Sequence, residues 1–230
     1  MPDLDRPAPL LPWWLITCGT LGVLGLYLAL VLTTSGQTWD NAVMDRAGQS
    51  PSLQQTAETI VHQLGPQRMV ILCLMACLSG LVRSWRIASG AAVATIICLL
   101  LPQVLKATLP RPQLADPWPM ANSLPSGHTA AVAALTVALA LVLGPPWRRV
   151  VLLVGALATG LMGVLVIVLA YHRPSDVLAS MALAVAAAGA GLLVQGRGRP
   201  RGGREAQAWP RALGGSLGGH SPSSEPSSMS

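Results

Sequence analysis

The sequence predicts an all-α polytopic membrane protein, a bundle of six transmembrane helices with a short extracytoplasmic helical loop. Three observations predict it. Of 230 residues, 52% are hydrophobic and 10% charged, with a mean hydropathy of +0.53. That is too few charges to coat a soluble globule and too much apolar length for one small core. Apolar runs approaching the roughly 20 residues that cross about 30 Å of hydrocarbon recur along the chain. The positive charges fall into two unequal sets at alternate breaks between those runs.

The first span runs from Leu11 to about Leu32 and opens with Trp13 and Trp14 at an interface. Its apolar length exceeds the roughly 7–15 residues of a signal-peptide core, and no small-x-small cleavage site follows. Its leading flank carries Asp3 and Asp5 against Arg6, so an uncleaved anchor is expected. From Gln37 to Gln67 the chain turns polar, with Val43, Ala47, Ile60, Val61 and Leu64 at near-helical spacing and breaks at Pro51 and Pro66. A surface loop holding one or two short interfacial helices is expected there.

Spans two and three run from about Met69 to Val82 and from about Ile87 to Leu105, around the turn Arg83-Ser84-Trp85-Arg86. The second is short for a bilayer. The loop from Lys106 to Ser123 contains Pro110, Pro112, Pro117 and Pro119 and cannot be regular helix throughout. Span four extends from about Gly127 to Leu143 and ends at Pro145-Pro146-Trp147-Arg148-Arg149. Span five covers about Val150 to Ala170, and span six about Asp176 to Val194. Residues 1–195 thus form one transmembrane domain. Residues 196–230, rich in Gly, Ser, Pro and Arg and without periodicity, are expected to be a disordered cytoplasmic tail.

With six spans, one side of the membrane collects Arg6, Arg83, Arg86, Arg148, Arg149, Arg197, Arg199, Arg201, Arg204 and Arg211. The other collects Arg46, Arg68, Lys106, Arg111 and Arg173. The excess on the first side places both termini in the cytoplasm of a multi-pass cell-membrane protein. Lys106, Arg111, His128, His172 and Asp176 then share the opposite, extracytoplasmic face.

The net charge of +6 does not point to nucleic acid, because five arginines lie in the tail and no basic stripe with interleaved aromatics is present. Cys18, Cys73, Cys77 and Cys98 all lie in apolar runs and read as small core residues, neither disulfides nor metal ligands. Of the four histidines, His62 and His220 read as solvated bystanders, whereas His128 and His172 sit where a span meets water. Ionisable groups at that depth are rare and usually functional.

Three segments converge on that face: Lys106, the single lysine, with Arg111 and Pro112; Pro125-Ser126-Gly127-His128; and His172 with Asp176. Together they suit phosphoryl transfer. Cations neutralise phosphate oxygens, and a glycine opening a helix lets backbone N–H groups approach the same anion. One histidine can attack phosphorus while the other protonates the leaving oxygen, and Asp176 can hold the ring of His172 in the productive tautomer. The plainer alternatives are that Ser126 and Asp176 cap helices and that Lys106 and Arg111 anchor at headgroups. Gly155, Gly160 and Gly163 are expected to serve close helix packing.

At these residues the chain resembles the type 2 phosphatidic acid phosphatase superfamily, membrane lipid phosphatases related in their sites to vanadium haloperoxidases. The family pattern is a lysine with a following Arg-Pro, then Pro-Ser-Gly-His, then Arg-x5-His-x3-Asp, carried by a six-helix bundle. The resemblance covers about Leu11 to Val194, and the loop from Trp39 to Gly65 is similar to the entry segment of small bacterial members. It implies His172 as nucleophile, Asp176 as its orienter and His128 as general acid, with Lys106, Arg111, Ser126 and Gly127 binding phosphate. It also implies a substrate that is a lipid phosphate or isoprenoid diphosphate, hydrolysed through a phosphohistidine without metal or other cofactor.

The sequence departs from the pattern twice. Lys106 and Arg111 are closer than the family spacing, which falls on Gln113, and the arginine expected before His172 is Val166. Arg173 is a candidate substitute, although a neighbour of His172 on a helix is expected to point elsewhere. A catalytically weak relative that binds lipid headgroups or a membrane partner is the alternative. A transporter is disfavoured because no charge lies in the middle of a span and no inverted repeat is visible.

Overall fold

A computed structural model describes residues 10–115 and 122–196, and every regular element among them is helical. α1 (Leu11–Leu26) continues through a π-helical turn, Tyr27–Val31. It is followed by α2 (Thr34–Ala47), α3 (Pro51–Gln63), and α4 (Pro66–Ser79) with a 3₁₀ turn, Gly80–Val82. The remaining helices are α5 (Trp85–Thr108), α6 (Gly127–Val142), α7 (Pro145–Val168) and α8 (Pro174–Gly196). The expected tail falls outside the described residues from position 197 onward.

Local chemistry sets the helix starts. The side chains of Thr33, Ser84 and Ser126 accept from the backbone N–H groups of Gly36, Ile87 and Thr129 and so cap α2, α5 and α6. Prolines in the first turn open α1, α3, α4 and α7, where the missing N–H has no partner to lose. For that reason Pro145-Pro146 begins α7 instead of closing a turn, and the fifth apolar segment starts at Pro145, not Val150.

Among the described residues, four helices are long and apolar enough to cross a membrane: Leu11–Val31, α5, α7 and α8. A fifth results if α3 and the α4 segment, bent by 46°, count as one. α6, taken from sequence as the fourth span, has 16 residues and is about 24 Å long, short of a bilayer core. Its surroundings explain this. α6 packs against α4, α5, α7 and α8 at once, and most of its residues from Thr129 to Val142 are buried. A helix sheathed in protein does not have to match the lipid. Its Ala133, Ala134 and Ala138 belong, with Cys73, Cys77 and Cys98, to the largest core cluster among the described residues; Cys18 departs from expectation and is exposed. Methyl groups on Gly155 and Gly163 would collide with Thr136 and Val177, so these glycines do allow helices to approach, whereas Gly160 faces open space.

The expected surface loop proves to be α2 and α3, and α2 is not superficial. Gln37, Asp40 and Met44 are buried along one side of it. The scattered apolar residues gave no sign of this, because the buried side of α2 is largely polar and is stabilised by hydrogen bonds instead.

Candidate active site

The site forms where α1 ends, α5 ends, and α6 and α8 begin. The segment after α5 is held from two directions. Tyr27, in the π-helical turn, donates its hydroxyl to the Pro110 carbonyl at 2.6 Å. Gln37 donates to the carbonyls of Val31 at 2.7 Å and Pro112 at 2.6 Å and accepts from the Leu114 N–H at 3.0 Å. Arg111 is fixed between these ties.

Its guanidinium spans two fully buried carboxylates. Nη1 donates to Asp176 Oδ1 at 3.0 Å and Nη2 to Asp40 Oδ2 at 3.1 Å. Asp40 also accepts from the Ser175 N–H at 3.0 Å and from the Ser175 hydroxyl at 2.5 Å. On the far side, Asp176 Oδ2 accepts from the Ser123 hydroxyl at 2.5 Å and from the Arg173 N–H at 2.9 Å. The Arg173 bond is the reach-back half of a capping box at the start of α8. Ser126 N–H donates to the Asp176 carbonyl at 3.0 Å, and the Ser180 hydroxyl lies within hydrogen-bond distance of the carbonyls of both Ser126 and Asp176. These bonds fasten the first turn of α6 beside the first turn of α8.

After α7 the chain turns back sharply. Ala170 adopts φ 55°, and the N–H groups of Tyr171 and His172 both donate to the Val166 carbonyl, at 3.0 and 3.3 Å. Residues 171–173 are therefore not helical, and His172 and Arg173 are both buried. The expectation that Arg173 would point away from the site is corrected here, because it assumed helical continuity. Arg173 Nη1 lies 3.4 Å from the Ser123 hydroxyl. Burial and the neighbouring Arg111 press its pKa below the usual arginine value, against the pull of Asp176 and Asp40.

His172 Nδ1 is buried 3.5 Å from Asp176 Oδ2, with no hydrogen-bond partner among the described residues. Asp176 already accepts three shorter bonds, so the imidazole stands beside the carboxylate without being locked to it. His128, half-buried in the first turn of α6, has His172 and Lys106 as its ionisable neighbours, and Asp176 is the acidic neighbour of Lys106. A methyl placed on Gly127 would lie 3.8 Å from both Lys106 Nζ and Gln103 Nε2. The first turn of α6 thus lies beside the polar end of α5, with room at Gly127 for ordinary contact.

The structure thus gathers Lys106, Arg111, Ser126, Gly127, His128, His172, Arg173 and Asp176. Two of them are already engaged: Arg111 is clamped by carboxylates, and the Ser126 hydroxyl accepts from Thr129 N and Oγ1 at 3.4 and 3.1 Å. Val166 reaches the site only through its carbonyl. Its side chain is fully buried among Val61, Met69, Ala131, Val132, Met162 and Val177. Gln113 is exposed. Sequence reasoning missed Asp40, Ser123 and Ser175. The helical spacing of Gln37, Asp40 and Met44, in a chain with only nine acidic residues, was the available signal for Asp40.

The sequence model of the PAP2 superfamily matches residues 68–199. Among solved structures, the chain is similar to the crystal structure of a transmembrane PAP2-type phosphatidylglycerolphosphate phosphatase from Bacillus subtilis. The match has a TM-score of 0.59 at 20% identity and covers 82% of this chain and 96% of that one. At that identity the likeness speaks for the fold. No curated protein matches the sequence.

Proposed function

Because the chain belongs to the PAP2 superfamily, we propose that it is an integral membrane phosphatase that removes phosphate from a lipid phosphate or lipid diphosphate through a phosphohistidine. The observation that carries this reading is the convergence of His172, His128, Lys106 and Asp176 from three distant chain segments. In this reading Lys106 and Arg173 bind the phosphate oxygens, with the open first turn of α6 at Gly127 offering N–H groups to the same anion. His172 has its Nδ1 toward Asp176, which leaves Nε2 to attack phosphorus. The P–N bond forms as the bond to the leaving oxygen breaks, and His128 gives that oxygen its proton. His128, now neutral, takes a proton from water as its oxygen attacks phosphorus, which frees phosphate and returns His172 to its starting state. Asp176 stabilises the positive charge that the His172 ring carries in between. The reaction calls for no metal.

With six crossings, the ten-to-five distribution of basic residues favours both termini in the cytoplasm and the site on the extracytoplasmic side. In that arrangement the short α6 begins below the membrane surface, which suits a substrate whose phosphate hangs from a bilayer lipid. Phosphatidic acid, phosphatidylglycerol phosphate and undecaprenyl diphosphate are all compatible with it. One second reading has its own observation. Val166 faces an apolar cluster and Arg111 is held by two carboxylates, as in a relative that binds lipid headgroups with little turnover.

Phosphate release by the purified protein in liposomes, across those three lipids with a chelator present, tests the proposal. Release that vanadate inhibits is expected, since vanadate resembles pentacoordinate phosphorus. Binding of the lipids without release on any of them would establish the second reading.

A further inference from the structure

Resting on the phosphatase reading, we propose that Asp40 of α2 is a positioning residue that sets the geometry of the Asp176–His172 pair. Every polar contact of Asp40 described above leads to Asp176 within one step. Through Ser175, which donates both its N–H and its hydroxyl, Asp40 holds the residue immediately before Asp176. Through Arg111, it holds the guanidinium that occupies Asp176 Oδ1. With one nitrogen of the fork pulled toward each carboxylate, Arg111 takes a single oxygen of Asp176. Oδ2, which accepts from Ser123 and the Arg173 N–H, is left facing His172 at 3.5 Å.

Remove the charge of Asp40 and that balance changes. A guanidinium with one carboxylate partner prefers to hold both of its oxygens in parallel. Arg111 would then swing onto Asp176 and draw Oδ2 away from the imidazole. Lys106 has Asp176 and not Asp40 as its acidic neighbour, and Arg173 would keep its positive charge and its place beside Ser123, so phosphate binding would change less than the rate of attack. Asp40 is an expensive residue to keep in a fully buried position. Burial pushes its carboxyl up from the ordinary aspartate value, against the bonds from Ser175 and the charge of Arg111.

Because Asp40 acts on Asp176 through Arg111, its effect depends on that residue, whereas a general loosening of the fold would add to the effect of Arg111→Gln. The effect falls on kcat with KM little changed, because attack slows while binding holds.

The test measures turnover of a lipid phosphate in liposomes by wild type, Asp40→Asn, Arg111→Gln and the double variant. Asp40→Asn is expected to lower kcat about tenfold, with KM within about threefold. Arg111→Gln should cost far less in the Asp40→Asn background than alone, the mark of two residues acting through one contact. Asp40→Asn with wild-type kcat, or a loss that falls on KM or adds to that of Arg111→Gln, overturns the inference and leaves the phosphatase reading intact. A wild type that releases no phosphate overturns both. Should Asp40→Asn not fold, Ser175→Ala decides: it keeps the Asp40–Arg111 pair, removes one tie, and is expected to cost about threefold in kcat, with no loss overturning the inference.

Discussion

Arginines gather at both ends of α6, and what they touch differs. At the Val142 end, Arg83 donates to the Val142 carbonyl at 3.0 Å and Arg148 to the Ala140 carbonyl at 3.2 Å, with the Gln195 amide 3.3 Å from the Leu141 carbonyl. These are the orphan acceptors of a helix end, and any long donor can meet them. At the Ser126 end, Arg111 and Arg173 are packed among Asp40, Asp176 and the Ser123 hydroxyl, all buried. Buried carboxylates are costly and demand specific geometry. The first end needs only long donors; the second needs particular atoms at particular places. The sequence shows both as arginine, and only the partners tell them apart.

The sharpest way to break this comparison is to remove the group that the second end exists to hold. His172→Ala is expected to reduce phosphate release by about 10³-fold or more while the protein stays folded, because no other imidazole lies beside Asp176 among the described residues. His128→Ala should cost about 10²–10⁴-fold on lipids with an alkoxide leaving group and less on a diphosphate, whose leaving group needs less protonation. Single-turnover and steady-state phosphate release would measure both. Losses below tenfold for both variants would make the Ser126 end a binding surface.

Arg173 sharpens the comparison within the second end. If it stands in for the arginine that Val166 replaces, its charge-assisted bonds to phosphate contribute about 1.5–3 kcal/mol, or one to two decades in rate. Arg173→Ala should therefore lower kcat/KM by about tenfold to a hundredfold. Arg111, already shared between two carboxylates, would act through them and not through substrate. A wild-type kcat/KM in Arg173→Ala would assign Arg173 to the scaffold. Position 166 itself offers no route to restore the family pattern, since its side chain points into an apolar cluster and a buried unpaired charge there would cost several kcal/mol.

How much was legible follows from how local each signal is. His128 follows Gly127 at a helix start, and Asp176 lies one turn from His172, so short spacings alone drew them together. The membrane class followed from composition and run length. Arg173 was misjudged because a helix was assumed where the chain turns at Ala170. Asp40 was missed because its partners are 71 and 135 positions away, at Arg111 and Ser175. No spacing rule reaches that far. Counting spans by apolar length did not show that α6 is shorter than a bilayer core, for the sequence does not say that α6 is wrapped by four other helices.

The smallest expected effect comes from the other end of α6. Arg83 is mostly exposed, and its bond to Val142 is only partly buried, so water and lipid headgroups can replace much of what it supplies. Its loss leaves the Val142 carbonyl with a solvent alternative, while Arg148 and Gln195 still serve the neighbouring carbonyls. Arg83→Ala is therefore expected to cost about 1 kcal/mol of stability or less, to lower the melting temperature in detergent by about 2–4 °C, and to leave kcat and KM unchanged. The double variant Arg83→Ala with Arg148→Ala should lose more than the sum, because two adjacent carbonyl turns then fray together. A large drop in turnover from Arg83→Ala alone, with the fold intact, would mean that the two ends of α6 are coupled and that capping at one end helps to set the geometry of the other.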